Sequence, residues 1–169
     1  GLDSQLVGET EILGQVKQAY DGALARHWTG PVLNRVFQKT FQTAKHIRTH
    51  TGIGAGQVSV ANVAVDLAGR IFGELGPTQI LVVGAGDIGL KAVQAFQSRG
   101  ATSITVASRT LAKAEEAAAA AGGWAASLAE LPELLAAADI VTSSTAAPGF
   151  VLGLELVAAA MARRAARPL

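Results

Sequence analysis

Three glycines are spaced so that they could bind the phosphates of a dinucleotide. They belong to the run Gly84-Ala85-Gly86-Asp87-Ile88-Gly89, which follows a short apolar segment and opens a helical one. In this spacing the first glycine permits a tight turn, the second lets a diphosphate approach the backbone, and the third lets the helix pack against the strand. Free backbone N–H groups and the helix dipole would attract the diphosphate. The run therefore predicts a dinucleotide site; the alternative is a tight strand–helix turn that binds no ligand.

The residues that end the next predicted strand indicate which dinucleotide fits. An NAD site typically has Asp or Glu at this point to bind the ribose hydroxyls. This chain has Ser108, Arg109 and Thr110 there, with no carboxylate. Because a guanidinium can pair with a 2′-phosphate and two hydroxyls can donate to it, these residues favour NADP. The alternative is that Arg109 is a solvated residue near the start of a helix.

A hydroxyl side chain after a later strand is a further candidate. Ser144 follows the predicted strand 139–143 and would lie at the same carboxyl edge of the sheet, where loops usually face the ligand. Ordinary turn chemistry explains a serine at this position equally well.

Alternating strands and helices must position these residues. Apolar, β-branched runs predict strands over 78–83, 103–107, 124–126 and 139–143, with helices between and after them. Ser127 and Glu130 have the spacing of a capping box that opens one of these helices. Such alternation predicts right-handed βαβ units. We expect an α/β fold in which a helical segment precedes a Rossmann-type parallel sheet with helices on both faces. Because Pro168 and Leu169 resemble the start of another strand, the sheet is expected to be incomplete at its C-terminal edge.

The first half of the chain is predicted to be helical. Apolar stripes run at helical spacing through residues 9–26, 31–49 and 59–72, and the first two helices are expected to form an antiparallel pair. No acidic residue occurs between Gly22 and Val65. The cations and histidines of that stretch are Arg26, His27, Arg35, Lys39, Lys45, His46, Arg48 and His50. Such a face could meet a phosphate backbone, or it could be a solvated helix face whose partners lie elsewhere.

Composition excludes several classes of protein. Half of the 169 residues are hydrophobic and 16% are charged, so the chain can bury a core. Its apolar runs fall far short of the roughly 20 residues of a membrane span, and we expect a cytoplasmic protein without a membrane partner. The absence of cysteine excludes disulfides and a thiol nucleophile within the chain. The histidines lack the spacing of metal ligands, so neither a catalytic residue nor a metal site is assigned.

The opening residues are not explained by helix formation alone. Residues 1–9 (GLDSQLVGE) and 12–17 (ILGQVK) closely resemble the signature of the glutamyl-tRNA reductase family, NADPH-dependent enzymes that start five-carbon tetrapyrrole (porphyrin) synthesis. Further matches are LNxxFQ at 33–38, KxxRTxTxIG at 45–54, VSV at 58–60, the glycine run and the SRT of 108–110. The resemblance covers nearly the whole chain. It departs at Thr10 and Glu11, where the family usually has Pro-Gln, at His50, where an acidic residue is common, and at Ser108, where asparagine is.

The resemblance implies a reaction and its site residues. Ser4, Glu9 and Gln15 match residues that hold the glutamyl group and the terminal adenosine region of the tRNA, and Thr10 and Glu11 are further candidates. A cysteine thiolate would attack the glutamyl ester, the tRNA would leave, and NADPH would reduce the thioester to glutamate-1-semialdehyde. In the family that cysteine and an assisting histidine precede the position of Gly1. We therefore expect part of a reductase, able to bind NADPH at best and inactive alone.

The resemblance also divides the chain and implies partners. Residues 1–56 would be the end of the substrate domain, 57–75 a connecting helix, and 76–169 a truncated NADP-binding domain. The implied partners are glutamyl-tRNA, a second copy bound through a domain outside this chain, and the next enzyme of the pathway, which would receive the product.

Two other functions remain possible at this point. One is a shikimate-dehydrogenase-like NADP oxidoreductase, for which Lys17 and Asp21 are the only candidates for the required Lys/Asp pair. The other is a non-catalytic NADP-binding adaptor, because the chain has no nucleophilic cysteine.

Overall fold

The computed structural model of the chain describes residues 8–9, 11–54, 59–164 and 169. The chain divides into two compact units, residues 1–59 and residues 60–169. Among the described residues, no helix is long and apolar enough to cross a membrane.

The first unit contains a pair of helices, α1 (Glu11–Ala25) and α2 (Pro31–His50), followed by a 3₁₀ turn at Gly52–Gly54. Helix α2 begins where the sequence predicts, because Pro31 needs no N–H partner in the first turn. The helices pack through the ring of Tyr20, whose centroid lies 4.9 Å from that of Phe37 and 5.8 Å from that of Phe41.

Contacts at both ends of the pair give its direction. Tyr20, late in α1, donates a hydrogen bond of 3.3 Å to the side-chain oxygen of Asn34, early in α2. Arg48, at the far end of α2, donates one of 3.4 Å to the carbonyl oxygen of Glu9, just before α1. The helices are therefore antiparallel, as predicted.

The second unit is a four-stranded sheet with helices around it. Its elements are α3 (Val60–Phe72), β1 (Gln79–Val83), α4 (Asp87–Ser98), β2 (Ser103–Ser108), α5 (Leu111–Ala119), β3 (Trp124–Ser127), α6 (Leu131–Ala137), β4 (Ile140–Ser143) and α7 (Leu154–Ala162). The strand order is β3-β2-β1-β4, and all three pairings are parallel. The predicted α/β fold is confirmed for this unit.

Alternate residues of β1 belong to two different cores. Ile80 and Val82 pack with side chains that include Val93 of α4 and Ala114 of α5, and α3 contributes to the same core. Leu81 and Val83 pack in the other core, which contains residues of α6 and α7. Because successive residues of a strand point to opposite faces, helices cover the sheet on both sides.

Some boundaries differ from the sequence prediction. The capping box forms, but it opens a 3₁₀ turn at Leu128–Glu130, and α6 begins only after that turn. Strands β2 and β3 each extend one residue beyond the predicted range, to Ser108 and Ser127. The strand predicted to start at Pro168 lies outside the described residues.

A buried arginine connects α7 to α6. Arg164, only 4% exposed, donates hydrogen bonds of 3.1 and 3.2 Å to the carbonyl oxygens of Leu135 and Ala136, and another to that of Ala138. At the C-terminal end of a helix the last carbonyl groups have no partner within the helix, and a cation there can donate hydrogen bonds to them. Arg164 therefore stabilises the segment that leads from α6 into β4.

Candidate functional site

The glycine loop begins at the junction of three strands. The N–H of Gly84 donates a 2.8 Å hydrogen bond to the carbonyl oxygen of Ala107, at the end of β2. The N–H of Ser144, just after β4, donates one of 2.8 Å to the carbonyl oxygen of Val83. The loop residue Gly84 thus stands between the ends of the neighbouring strands, at the carboxyl edge of the sheet.

Two glycines of the loop are required by packing. Gly84 has a φ of +110°, and a β-carbon added to it would lie 1.9 Å from the carbonyl oxygen of Ser144. A β-carbon at Gly89 would lie 2.0 Å from the carbonyl oxygen of Gly84. Any side chain at either position would therefore displace backbone.

Gly86 is different, because nothing in the described structure fills the space beside it. A β-carbon added there would meet no atom within 4 Å. Gly86 precedes the first turn of α4, and no side chain caps that turn. The first N–H groups of a helix have no partner within it, so they can bind an anion. The space beside Gly86 fits a diphosphate that approaches the backbone closely.

A cleft of about 230 Å³ opens in front of this loop. It is lined by Gly84, Ala85, Gly86, Ser108, Arg109, Thr110, Lys113, Leu128, Ser144, Thr145, Ala146, Ala147 and Val151. The structure thus brings together residues 84–86 of the glycine loop, the residues that end β2, and Ser144. Asp87, Ile88 and Gly89 do not line the cleft: the first two are exposed in the first turn of α4, and Gly89 is buried.

The cleft has a positive wall. Arg109 lies between β2 and α5, Lys113 lies in the first turn of α5, and both are exposed. Neither makes an ion pair with any carboxylate in the described part of the chain. No Asp or Glu is among the residues that line the cleft. The cleft can therefore hold an anionic group at the end of β2.

The substrate residues implied by the resemblance belong to the first unit. Glu9 accepts hydrogen bonds through its carboxylate from the N–H groups of Glu11 (2.5 Å) and Ile12 (3.2 Å), so it caps α1. Glu11 is partly buried, and Gln15 is exposed one turn further along α1. Ser4 and Thr10 lie outside the described residues.

Comparison with known proteins covers both units. A family model described as "Glutamyl-tRNAGlu reductase, N-terminal domain" matches residues 1–51, and one described as "Shikimate / quinate 5-dehydrogenase" matches residues 66–169. Glutamyl-tRNA reductase of Idiomarina loihiensis is 46% identical over 169 residues, which are 100% of this chain and 40% of the relative. That of Syntrophus aciditrophicus is 48% identical over 96% of this chain and 38% of its own length.

This chain belongs to the glutamyl-tRNA reductase family. A solved structure, glutamyl-tRNA reductase from Methanopyrus kandleri, aligns with 99% of the chain and 42% of its own length, at a TM-score of 0.61 and 41% identity. The chain therefore spans about two fifths of the length of these relatives. The second unit is a dehydrogenase-type domain of the class that binds nicotinamide cofactors. The shikimate-dehydrogenase-like alternative is less well supported, because it explains only residues 66–169, whereas the reductases match both units.

The sequence prediction missed one charged residue of the cleft. Lys113 lines the cleft with Arg109, although the sequence indicates only that it belongs to a helix. No local pattern identifies Lys113 as a cleft residue, because Arg109 lies before the first residue of α5 and the spacing rule for helix faces applies only within a helix. The apolar residues Leu128, Ala147 and Val151 were missed as well, because nothing in their own segments marks them as cleft residues.

Proposed function

We propose that this chain is the NADPH-binding part, and some of the substrate-binding part, of an enzyme that reduces glutamyl-tRNA to glutamate-1-semialdehyde for tetrapyrrole synthesis. One observation carries the proposal: the glycine-loop cleft has Arg109 and Lys113 at its wall and no carboxylate. The 46% identity of the whole chain to two fifths of a glutamyl-tRNA reductase supports it.

Each part of the cleft has a role in this proposal. The N–H groups beside Gly86 hold the diphosphate, and Arg109 and Lys113 pair with the 2′-phosphate that distinguishes NADPH from NADH. The hydroxyls of Ser108, Thr110 and Ser144 are candidate partners for ribose and phosphate oxygens. When bound, NADPH supplies a hydride. Ala147 and Val151 form an apolar part of the lining, which excludes water from part of the cofactor.

The first unit would contribute to substrate binding through Ser4, Glu9, Thr10, Glu11 and Gln15. Glu9 caps the start of α1 and Gln15 follows the first turn of that helix, so both are candidates to contact the glutamyl end of the substrate. The cap that Glu9 provides for α1 fixes the start of that helix, and this would orient Gln15. The chain has no cysteine, so the thiol nucleophile of the proposed reaction would lie in another part of the protein.

The remaining features of the proposal concern organisation. Residues 1–56 would form part of the substrate domain, 57–75 the connecting helix, and 76–169 the NADP-binding domain. The enzyme would be a cytoplasmic homodimer formed through a domain outside this chain, and it would pass its product to the next enzyme of the pathway.

Separate titrations with NADPH and NADH test the cofactor assignment. One charge-assisted pair with the 2′-phosphate contributes about 1.5–3 kcal/mol, so NADPH should bind the chain about 10- to 100-fold more tightly than NADH. Equal affinity, or tighter binding of NADH, would refute the assignment.

A single-turnover assay with glutamyl-tRNA and NADPH tests the reaction. The 169-residue chain should form no semialdehyde, and the protein from the complete reading frame that contains it should form it. A complete protein that binds NADPH but forms no semialdehyde would instead support the adaptor function.

A further inference from the structure

One face of α2 carries a row of basic and polar side chains. Arg35, Lys39, Gln42, His46 and His50 are separated by four, three, four and four residues, so they lie on the same face of the helix. All five are exposed. At 1.5 Å per residue the row is about 22 Å long. We call these five residues the basic stripe.

The basic stripe faces away from α1. Phe37 and Phe41, which contact Tyr20 of α1, are two and six residues beyond Arg35, which places them on the other side of the helix. The stripe is therefore not covered by the partner helix of its own unit.

Among the described residues of the unit, no carboxylate pairs with the charges of the stripe. Helix α2 contains no acidic residue. Neither Arg35 nor Lys39 forms an ion pair or hydrogen bond with any residue of the described ranges. The rings of His46 and His50 stack at the C-terminal end of the stripe, with centroids 4.1 Å apart and planes inclined by 27°. Two unpaired cations followed along one helix face by an amide and two imidazoles, with no carboxylate on that helix, are complementary to a linear polyanion.

The position of the stripe indicates which polyanion fits. The hydrogen bond from Arg48 to Glu9 brings the C-terminal end of α2 next to the start of α1. The candidate substrate residues Glu9 and Gln15 are at that start. The stripe therefore begins at His50, beside these residues, and leads away from them toward Arg35.

We propose that the basic stripe binds the phosphate backbone of the acceptor arm of the tRNA. This inference rests on the proposed function, because the aminoacylated 3′ end would then lie near Glu9 and Gln15. The stripe would contact phosphates and would not read bases, so its contribution to affinity would be independent of sequence and dependent on salt. Arg35 and Lys39 would carry most of this contribution because they are charged at neutral pH.

The test uses the protein from the complete reading frame and measures tRNA affinity by fluorescence anisotropy between 50 and 400 mM salt, roughly the range over which phosphate contacts weaken most visibly. The variant is Arg35→Gln with Lys39→Gln. The control is Arg70→Gln with Arg163→Gln, which removes the same charge from exposed positions of the second unit, outside the cleft. Circular dichroism checks that both variants fold.

The expected effect follows from counterion release. With a slope of about −0.9 per phosphate in a plot of log K against log salt, each lost contact weakens binding about eightfold at 0.1 M salt. The stripe variant should therefore bind tRNA about 60-fold more weakly, its slope should be less steep by about 2, and the control should be unchanged. The KM for glutamyl-tRNA should rise, while kcat at saturating tRNA stays the same.

Three results would overturn the inference. The stripe variant could keep both the affinity and the salt slope of the original protein, or the control could lose as much affinity as the stripe variant. The stripe variant could also keep its tRNA affinity and instead lose binding to vesicles of anionic lipid, which would make the stripe a membrane-binding surface. Failure of the proposed function is a separate result: the unmodified complete protein would form no semialdehyde, whereas the anisotropy measurement would still test the stripe.

Discussion

Replacing the glycines of the loop by alanine one at a time should separate its role in folding from its role in binding. In Gly86→Ala the new methyl group meets no atom within 4 Å, and the φ of −87° is ordinary for alanine. The loss of glycine at the start of α4 costs about 0.5–1 kcal/mol, and the stiffer unfolded chain offsets about as much. The stability of this variant should therefore stay within about 1 kcal/mol of the original.

Gly84→Ala should behave in the opposite way. The φ of +110° is strained for alanine, which costs about 1–3 kcal/mol. Moving the Ser144 carbonyl away from a β-carbon at 1.9 Å adds about 1–3 kcal/mol of overpacking. The total of about 2–6 kcal/mol is a large fraction of the 5–15 kcal/mol typical of a domain, and the melting temperature should fall by about 10 °C or more.

Thermal unfolding and NADPH titration of the two variants test this reasoning. Gly86→Ala should melt near the original temperature but bind NADPH about 10- to 100-fold more weakly, because its methyl group occupies the space proposed for the diphosphate. If it binds NADPH as tightly as the original chain, the diphosphate does not approach the backbone at Gly86. If its melting temperature falls as far as that of Gly84→Ala, then Gly86 is also required for packing, and the assignment of separate roles to the two glycines is wrong.

Further predictions concern charges. Arg109→Gln should weaken NADPH binding about 10- to 100-fold and leave NADH binding unchanged in parallel titrations; an equal loss for both would contradict a 2′-phosphate contact. The backbone N–H and the hydroxyl of Ser127 donate hydrogen bonds to the Glu130 carboxylate, and they hold the pKa of Glu130 below its ordinary value of 4.5. The ionised carboxylate therefore stabilises the folded state above pH 4.5, and this stability is lost as the pH falls through the lowered pKa. Glu130→Gln should therefore reduce the fall in melting temperature on acidification, and an identical pH profile would refute this. Arg164→Met should lower the free energy of unfolding by about 2–4 kcal/mol in urea, because it leaves buried carbonyl groups unsatisfied, whereas the exposed Arg163→Met should cost under about 1 kcal/mol.

The features that could be predicted from sequence are those determined by a few neighbouring residues. The glycine loop is recognisable because the strand, the three glycines and the helix are contiguous. The capping box of Ser127 and Glu130 forms because its two partners are three residues apart, and Glu130 accepts a 2.7 Å hydrogen bond from the Ser127 N–H. The strands are recognisable because those buried on both faces are continuously apolar.

The features that could not be predicted depend on which distant segments meet. The contact of Gly84 with Ser144 joins residues 60 positions apart, and it exists only because β4 pairs with β1. Lys113 lines the cleft because of the direction in which α5 leaves β2, which no local pattern specifies. The sequence does not distinguish two roles of Glu9, because a carboxylate that precedes a helix can cap that helix and can also contact a substrate.

The contact at Gly84 also limits how this loop can evolve. The atom that excludes a side chain there is the carbonyl oxygen of Ser144, and every amino acid has a backbone carbonyl. No substitution at position 144 can therefore make room for a β-carbon at position 84, whereas a crowded side chain in a core can often be accommodated by shortening its neighbour. The same holds for Gly89, whose obstacle is the carbonyl oxygen of Gly84. Backbone packing therefore permits a side chain at Gly86, where only the proposed ligand would constrain the residue, and excludes one at Gly84 and Gly89.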